Sequence, residues 1–185
     1  RGPYLVPIEY FTIEDGSTVT IEPGVVIKFS HGDGGQVHIK GILKAAGTTD
    51  EPIVFTSIHD DEYGGDMTGN GTSTQPAAGS IRGLWFKPTS SGSELDNVIV
   101  RYGGRYFYNN AQMSRTILGI ENAGISVRNS IFEHSYSYGV RLEDSDSIFE
   151  GNTVAGSAFE GMLVEGGSPV IRGNTFRSNR TGILV

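Results

Sequence analysis

Cysteine is absent from the 185 residues. Disulfide stapling and thiolate metal sites are therefore excluded, while the compartment stays open, because many exported bacterial proteins carry no cysteine either. Long apolar runs are missing too. None approaches the 18 residues that a membrane-spanning helix requires, so membrane insertion is not expected. Basic stripes interleaved with aromatics are also lacking, and the net charge is −7. Such a surface repels phosphate, so no nucleic-acid partner is expected. The acidic excess sits in one place: residues 1–66 hold 11 acids and four bases, whereas 67–185 hold ten of each.

Glycine is what the chain has in quantity, 27 residues against a hydrophobic content of 37%. That is about twice ordinary glycine usage in a chain too apolar for disorder. The length suffices for one domain with a substantial core, and the composition predicts many turns rather than long helices.

The C-terminal third repeats. GVRLEDSDSIFEGNTVAGSAFE (139–160), GMLVEGGSPVIRGNTFRSNRT (161–181) and GILV (182–185) each open on glycine and a short apolar run, and GIENAGISVRNSIFEHSYSY (119–138) is a looser copy. The spacings are 20, 22 and 21 residues. Periods in the twenties indicate stacked units that cannot bury their apolar face alone. The runs are β-branched, alternating and flanked by Gly, Asn, Ser and Asp, so they are strands.

The arrangement predicted is an all-β, right-handed parallel β-helix of six or seven rungs, one domain over 1–185. Stacking the copies places Val140, Met162 and Ile183 in one buried column and Leu142, Val164 and Val185 in another. It aligns Asn129, Asn152 and Asn174 as a ladder of amides. It also sets Glu121 over Arg141 and Glu143 over Glu165. The N-terminal half, STVTIEPGVVIKF (17–29), QVHIKGILKAAGT (36–48) and EPIVFTS (51–57), reads as the same pattern with corners at Pro23-Gly24 and Gly41. Insertions interrupt it at about 58–80 and 103–115. Val185 falls four residues into a rung, so the chain is expected to be a fragment of a longer protein, with the solenoid continued or covered at that end.

TVTIEPGVVIKF, KGILKAAGT, PIVFTS, the DDEYGGD insertion, GLWF and VRYGG together resemble pectin-lyase-like β-helix repeats, in the variety found in large secreted and cell-surface proteins of bacteria and archaea. The resemblance covers nearly the whole chain. It implies the fold and an extracellular location, and it leaves function open among lyases, hydrolases, adhesins and passive stalks.

Three groups of residues carry possible chemistry. Asp60, Asp61, Glu62, Asp66 and Asn70 lie among glycines in the first insertion and could supply oxygen ligands for a structural Ca²⁺, although the spacing fails the EF-hand pattern at Gly71. Trp85, Tyr102, Arg105, Tyr106, Tyr108 and Asn109 offer aromatic faces and amide donors suited to a glycan. Trp85 and Phe86 are adjacent, so one faces in and the other out. Glu143, Asp144, Asp146 and Glu165 form the fallback catalytic patch, with Glu143 and Glu165 one rung apart. His134 reads as a turn residue.

The function expected is a non-catalytic extracellular scaffold or adhesive module that contacts a polysaccharide or cell-surface glycan. The alternatives are a carbohydrate-active enzyme using the Glu143 patch and a self-assembling element, the latter suggested by the outward Leu163 and Leu184.

Overall fold

A computed structural model describes residues 2–30, 34–105 and 115–185. The first rung comprises β1 (Tyr4–Val6), β2 (Tyr10–Ile13) and β3 (Thr18–Ile21). The second is β4 (Val26–Phe29), β5 (Gln36–Ile39) and β6 (Ile42–Ala46), and the third is β7 (Ile53–Ser57), β8 (Gly83–Phe86) and β9 (Glu94–Asp96). Next come β10 (Val98–Arg101), β11 (Thr116–Glu121) and β12 (Ser126–Arg128), then β13 (Ile131–Glu133), β14 (Tyr138–Glu143) and β15 (Ile148–Glu150). The sixth rung is β16 (Thr153–Ala155), β17 (Glu160–Glu165) and β18 (Val170–Arg172), and β19 (Thr175–Arg177) and β20 (Thr181–Leu184) begin a seventh.

Every third strand joins the same sheet. Sheet A runs β1-β4-β7-β10-β13-β16-β19, sheet B runs β2-β5-β8-β11-β14-β17-β20, and sheet C runs β3-β6-β9-β12-β15-β18. Neighbours are parallel throughout. The protein is a right-handed parallel β-helix, and no helix among the described residues is long and apolar enough to cross a membrane.

Alternation sends every second side chain inward, and the rung spacing stacks like on like. Sheet A contributes Phe55, Val100, Phe132 and Val154, sheet B Leu84, Leu118, Val140 and Met162, and sheet C Leu95, Val127 and Phe149, all buried. Each such side chain stabilises the fold by about 1.5–3 kcal/mol relative to exposure. Val140, Met162 and Ile183 stack as expected, and so do Leu142 and Val164, but the columns are not buried to their ends, since Ile183 is 38% and Val185 92% exposed.

The later rungs turn through single residues with positive φ, and these stack as well. Asn122 (φ 48), Asp144 (φ 46) and Gly166 (φ 84) lead from sheet B to sheet C. Asn97 (φ 50), Asn129 (φ 49), Gly151 (φ 69) and Gly173 (φ 64) lead from sheet C to sheet A. Tyr102 (φ 63), His134 (φ 59), Gly156 (φ 65) and Ser178 (φ 55) leave sheet A. Such backbone suits Gly, Asn and Asp, which explains two of the three series and makes Tyr102 and His134 conspicuous.

Two expected alignments are corrected by this register. Gly119 pairs with Arg141, so Glu121 lies over Glu143 and not over Arg141. The slip is two residues, which preserves the inward–outward alternation and so is invisible to hydrophobic pattern. The anchors were the acid-plus-turn pairs Glu121-Asn122, Glu143-Asp144 and Glu165-Gly166, each 22 residues apart. Asn129, likewise, takes the corner position aligned with Gly151, and Ser130 stands in the ladder instead. Ser130 N donates to Asn152 Oδ1 at 2.9 Å, Asn152 N donates to Asn174 Oδ1 at 2.8 Å, and the Asn152 amide donates to Asn174 Oδ1 at 3.0 Å.

Candidate functional site

The long connections all leave the same corner. Residues 58–82 join β7 to β8, and 102–115 join β10 to β11, so both pass from sheet A to sheet B. The two sheets flanking that corner carry the polar and aromatic clusters.

On sheet A the outward column reads Lys28, Thr56, Arg101 and Glu133. The first insertion folds back over it. Lys28 is fully buried, and its ammonium donates to the main-chain oxygens of Asp60 at 2.8 Å and Gly65 at 2.6 Å. Burial lowers the Lys28 pKa, while the charges of Asp60, Asp61 and Asp66 act against that. Thr56 Oγ1 donates to Asp60 Oδ2 at 2.6 Å. Arg101 Nη1 reaches Glu62 at 2.6 Å, and Nη2 donates to the Tyr102 hydroxyl at 2.8 Å. Its Nε lies 3.3 Å from Glu133 and 3.7 Å from Asp60, close enough for ion pairing but without the alignment of a hydrogen bond. The guanidinium sits against the rings of Tyr63 and Tyr102, and Tyr102 in turn stacks on His134 at 5.1 Å. Burial would by itself lower the Arg101 pKa, but Glu62, Asp60, Tyr102 and Glu133 carry it upward.

The five residues expected as Ca²⁺ ligands are thus distributed. Asp60 is buried under Arg101, Asp61 is half-buried with its charge acting on Lys28, and Glu62 reaches the Arg101 guanidinium from the solvent side. Asp66 turns to its own loop, accepting from the Thr68 hydroxyl and from the amides of Thr68, Gly69 and Gly71, which holds its pKa below the usual range. Asn70 donates to Thr74. Among the described residues no three His, Asp or Glu side chains converge for a metal. The chain's own ammonium takes two of the carbonyl oxygens that an added cation would seek. Melting in saturating Ca²⁺ and in chelator is therefore expected to differ by less than about 1 °C, since only a cation that binds the native state raises stability.

On sheet B the outward residues of the first three rungs form an aromatic ladder. Tyr10, His38 and Trp85 lie ring to ring at 5.0 and 5.2 Å. Phe86 faces the core and Trp85 faces out, half-buried. Lys87 sits 3.0 Å from the Trp85 ring centre and also pairs with Glu121 at 3.3 Å. Arg82 lies over Tyr10 and pairs with Glu9. His38 Nε2 is 2.9 Å from Gln36 Oε1. Burial, then Lys87, Lys40 and Arg82, depress the His38 pKa to about 4. Two donors, Gln36 Nε2 and Trp85 Nε1, are buried beside this ladder without a hydrogen-bond partner among the described residues.

The expected glycan set is divided by this geometry. Trp85 belongs to sheet B, Tyr102 to the Arg101 cluster beyond the corner, and Arg105 crosses between them beside Gly34. Tyr106, Tyr108 and Asn109 lie outside the described residues. Tyr10 and His38 were not anticipated; the register that brings His38 onto Trp85 was the missing signal.

The fallback catalytic patch is held by an arginine. Glu143 and Glu165 do pair in register, but Arg141 is inserted against both. Asp144 is the positive-φ corner, and Asp146 accepts from the Ser168 amide at 2.8 Å. Gly166 approaches Asp144 so closely that a Cβ there would meet its Oδ1 at 2.2 Å. These carboxylates build the turn and the ion pair, with no vacant acid–base pair between them.

Comparison with known protein families matches residues 115–185 to the right-handed beta helix region. No curated protein and no solved structure matches the chain.

Proposed function

We propose that the chain is a non-catalytic extracellular β-helix module, a rigid scaffold or adhesive segment of a surface or secreted protein, and that sheet B contacts a glycan. The observation that carries the reading is the Tyr10–His38–Trp85 ladder. Rings from three successive rungs of one face meet at 5.0 and 5.2 Å, with His38 directly over Trp85 and Tyr10 reaching His38 diagonally, since Tyr10 itself pairs with Gln36. Ring faces bind the apolar CH surfaces of sugars, and the neighbouring Lys87, which is only partly buried, supplies a donor for a hydroxyl group. The outward carboxylates that could act as acid and base are engaged by Arg141, Arg101 and backbone amides, which favours binding over turnover.

The test is a polysaccharide panel reading retained protein and newly released sugar ends from the same wells. Retention without product is expected. Trp85→Ala and Tyr10→Ala should each weaken it about 2- to 12-fold, the range of one aromatic contact. Retention unchanged in both variants, or release of sugar ends, would sink the reading.

A further inference from the structure

Glu160 is a charge that the fold covers and does not use. It opens β17 at the corner where sheet A passes to sheet B, and it is only 7% exposed. No cation or hydrogen-bond donor among the described residues meets its carboxylate, yet neither oxygen is sealed from solvent. A covered carboxylate without a partner opposes folding, so this position is short of a donor. Register sets Tyr138 before it in the stack and Thr181 after it. No second carboxylate therefore stands beside it in the column to complete an acid–base pair.

Its surroundings are aromatic. The rings of Tyr138 and Phe159 lie 5.8 Å apart and are tilted by 36°. Phe159 is 39% exposed, and Tyr136, two residues before Tyr138, is 57% exposed. The exposed Arg180 sits over the Phe159 ring at 5.1 Å and makes no ion pair with Glu160. One corner of the solenoid thus offers ring faces, a carboxylate acceptor and a guanidinium donor.

That combination selects among ligands. An organic cation would gain Glu160 but face Arg180, and an anion would gain Arg180 but face Glu160. A purely apolar group would leave the carboxylate without its donor. An uncharged sugar avoids all three penalties. Its CH face lies on the rings, one hydroxyl donates to Glu160, and another accepts from Arg180.

We infer that Tyr138, Phe159 and Glu160 form a second sugar-binding subsite, for an uncharged pyranose whose hydroxyl groups donate to the Glu160 carboxylate. The inference rests on the reading of the chain as a glycan-contacting module. Its residues belong to the fifth and sixth rungs, however, apart from the ladder in the first three.

The test uses the full chain on a polysaccharide panel with uncharged and carboxylated polymers in separate wells. Glu160→Gln should weaken retention on uncharged polymers about tenfold or more, the loss of hydrogen bonds to a charged acceptor. Phe159→Ala should weaken it about 2- to 12-fold. Glu160→Gln should also melt higher than the parent, because the amide removes an unpaired charge from under cover. Weaker binding together with greater stability is an outcome that a merely structural glutamate would not produce. Circular dichroism matching the parent establishes that each variant is folded. A lower melting temperature in Glu160→Gln overturns the inference. So does parent-like retention of either folded variant, or retention confined to carboxylated polymers. Trp85→Ala, run alongside, separates the two sites. If it alone weakens retention, the ladder stands and this subsite falls; if it alone leaves retention intact, the subsite stands and the ladder falls. A parent retained by no polymer removes both.

Discussion

Arg101→Ala is expected to lower stability by about 3–5 kcal/mol, the cost of removing one partner from a buried charge network. The guanidinium is only 6% exposed and Asp60 only 2%. Once Arg101 is gone, the Asp60 carboxylate keeps the Thr56 hydroxyl as its nearest donor and stays under the insertion. Water cannot replace the lost charge without the insertion lifting away. Arg101→Lys should recover only part of the loss, since one ammonium cannot reach Glu62 and the Tyr102 hydroxyl together as the planar fork does. The contrast that tests the argument is Glu62→Ala. Its side chain is 62% exposed, and its removal should cost no more than about 1 kcal/mol despite the 2.6 Å contact. Thermal melts resolve the difference, at about 2–4 °C per kcal/mol for a domain of this size. Equal losses in the two variants would show that Arg101 acts through its surface pair and not through the buried carboxylate.

The same network explains what could be read from the sequence and what could not. Fold class was legible because short apolar runs recur at a near-constant period and β-branched alternation names them as strands. The burial of Lys28 was not. In VVIKF it occupies an outward position, where lysine is ordinarily solvated, and only the return of residues 58–66 over sheet A covers it. Alternation assigns a side chain to a face, but it says nothing about what lies above that face. The acidic insertion reads as a cation site for the same reason: its charges are visible, while the Lys28 and Arg101 charges beneath them arrive only through register. Trp85 and Phe86 were assigned to opposite faces without a choice between them, and the partner of Trp85, His38, stands 47 residues earlier and is joined to it only by the pairing of β5 with β8. A period of 22 residues in the C-terminal rungs did not extend through the insertions, so this stacking could not be counted off.

His38 gives the second large effect, and its sign follows from protonation. The folded ring has a pKa of about 4 against 6.5 unperturbed, first because it is buried and then because Lys87, Lys40 and Arg82 face it. Tyr10 and Trp85 cover it on either side and Gln36 meets its Nε2, with no carboxylate bonded to the ring among the described residues. As pH falls from about 6.5 towards 4, the unfolded chain takes up a proton that the folded chain refuses. Stability is therefore fully present above 6.5 and declines through that window. The gap corresponds to about 3 kcal/mol when both states are compared below the lower pKa. His38→Gln keeps a polar side chain beside Gln36 but cannot titrate, so its stability should fall less steeply over the same interval. The carboxylates whose pKa values are depressed, Asp66 and Glu150, contribute losses in the same direction, but below their ordinary values of 3.8 and 4.5 and equally in both proteins. Denaturant midpoints at half-unit steps from pH 7 to 4.5 isolate the histidine as a difference curve. A flat difference would mean that the ring is not held neutral, and the cationic surroundings of the ladder would no longer set its charge. A sloping one would mean that the face proposed to meet a glycan is assembled around an uncharged imidazole and loosens as soon as that ring is forced to accept a proton.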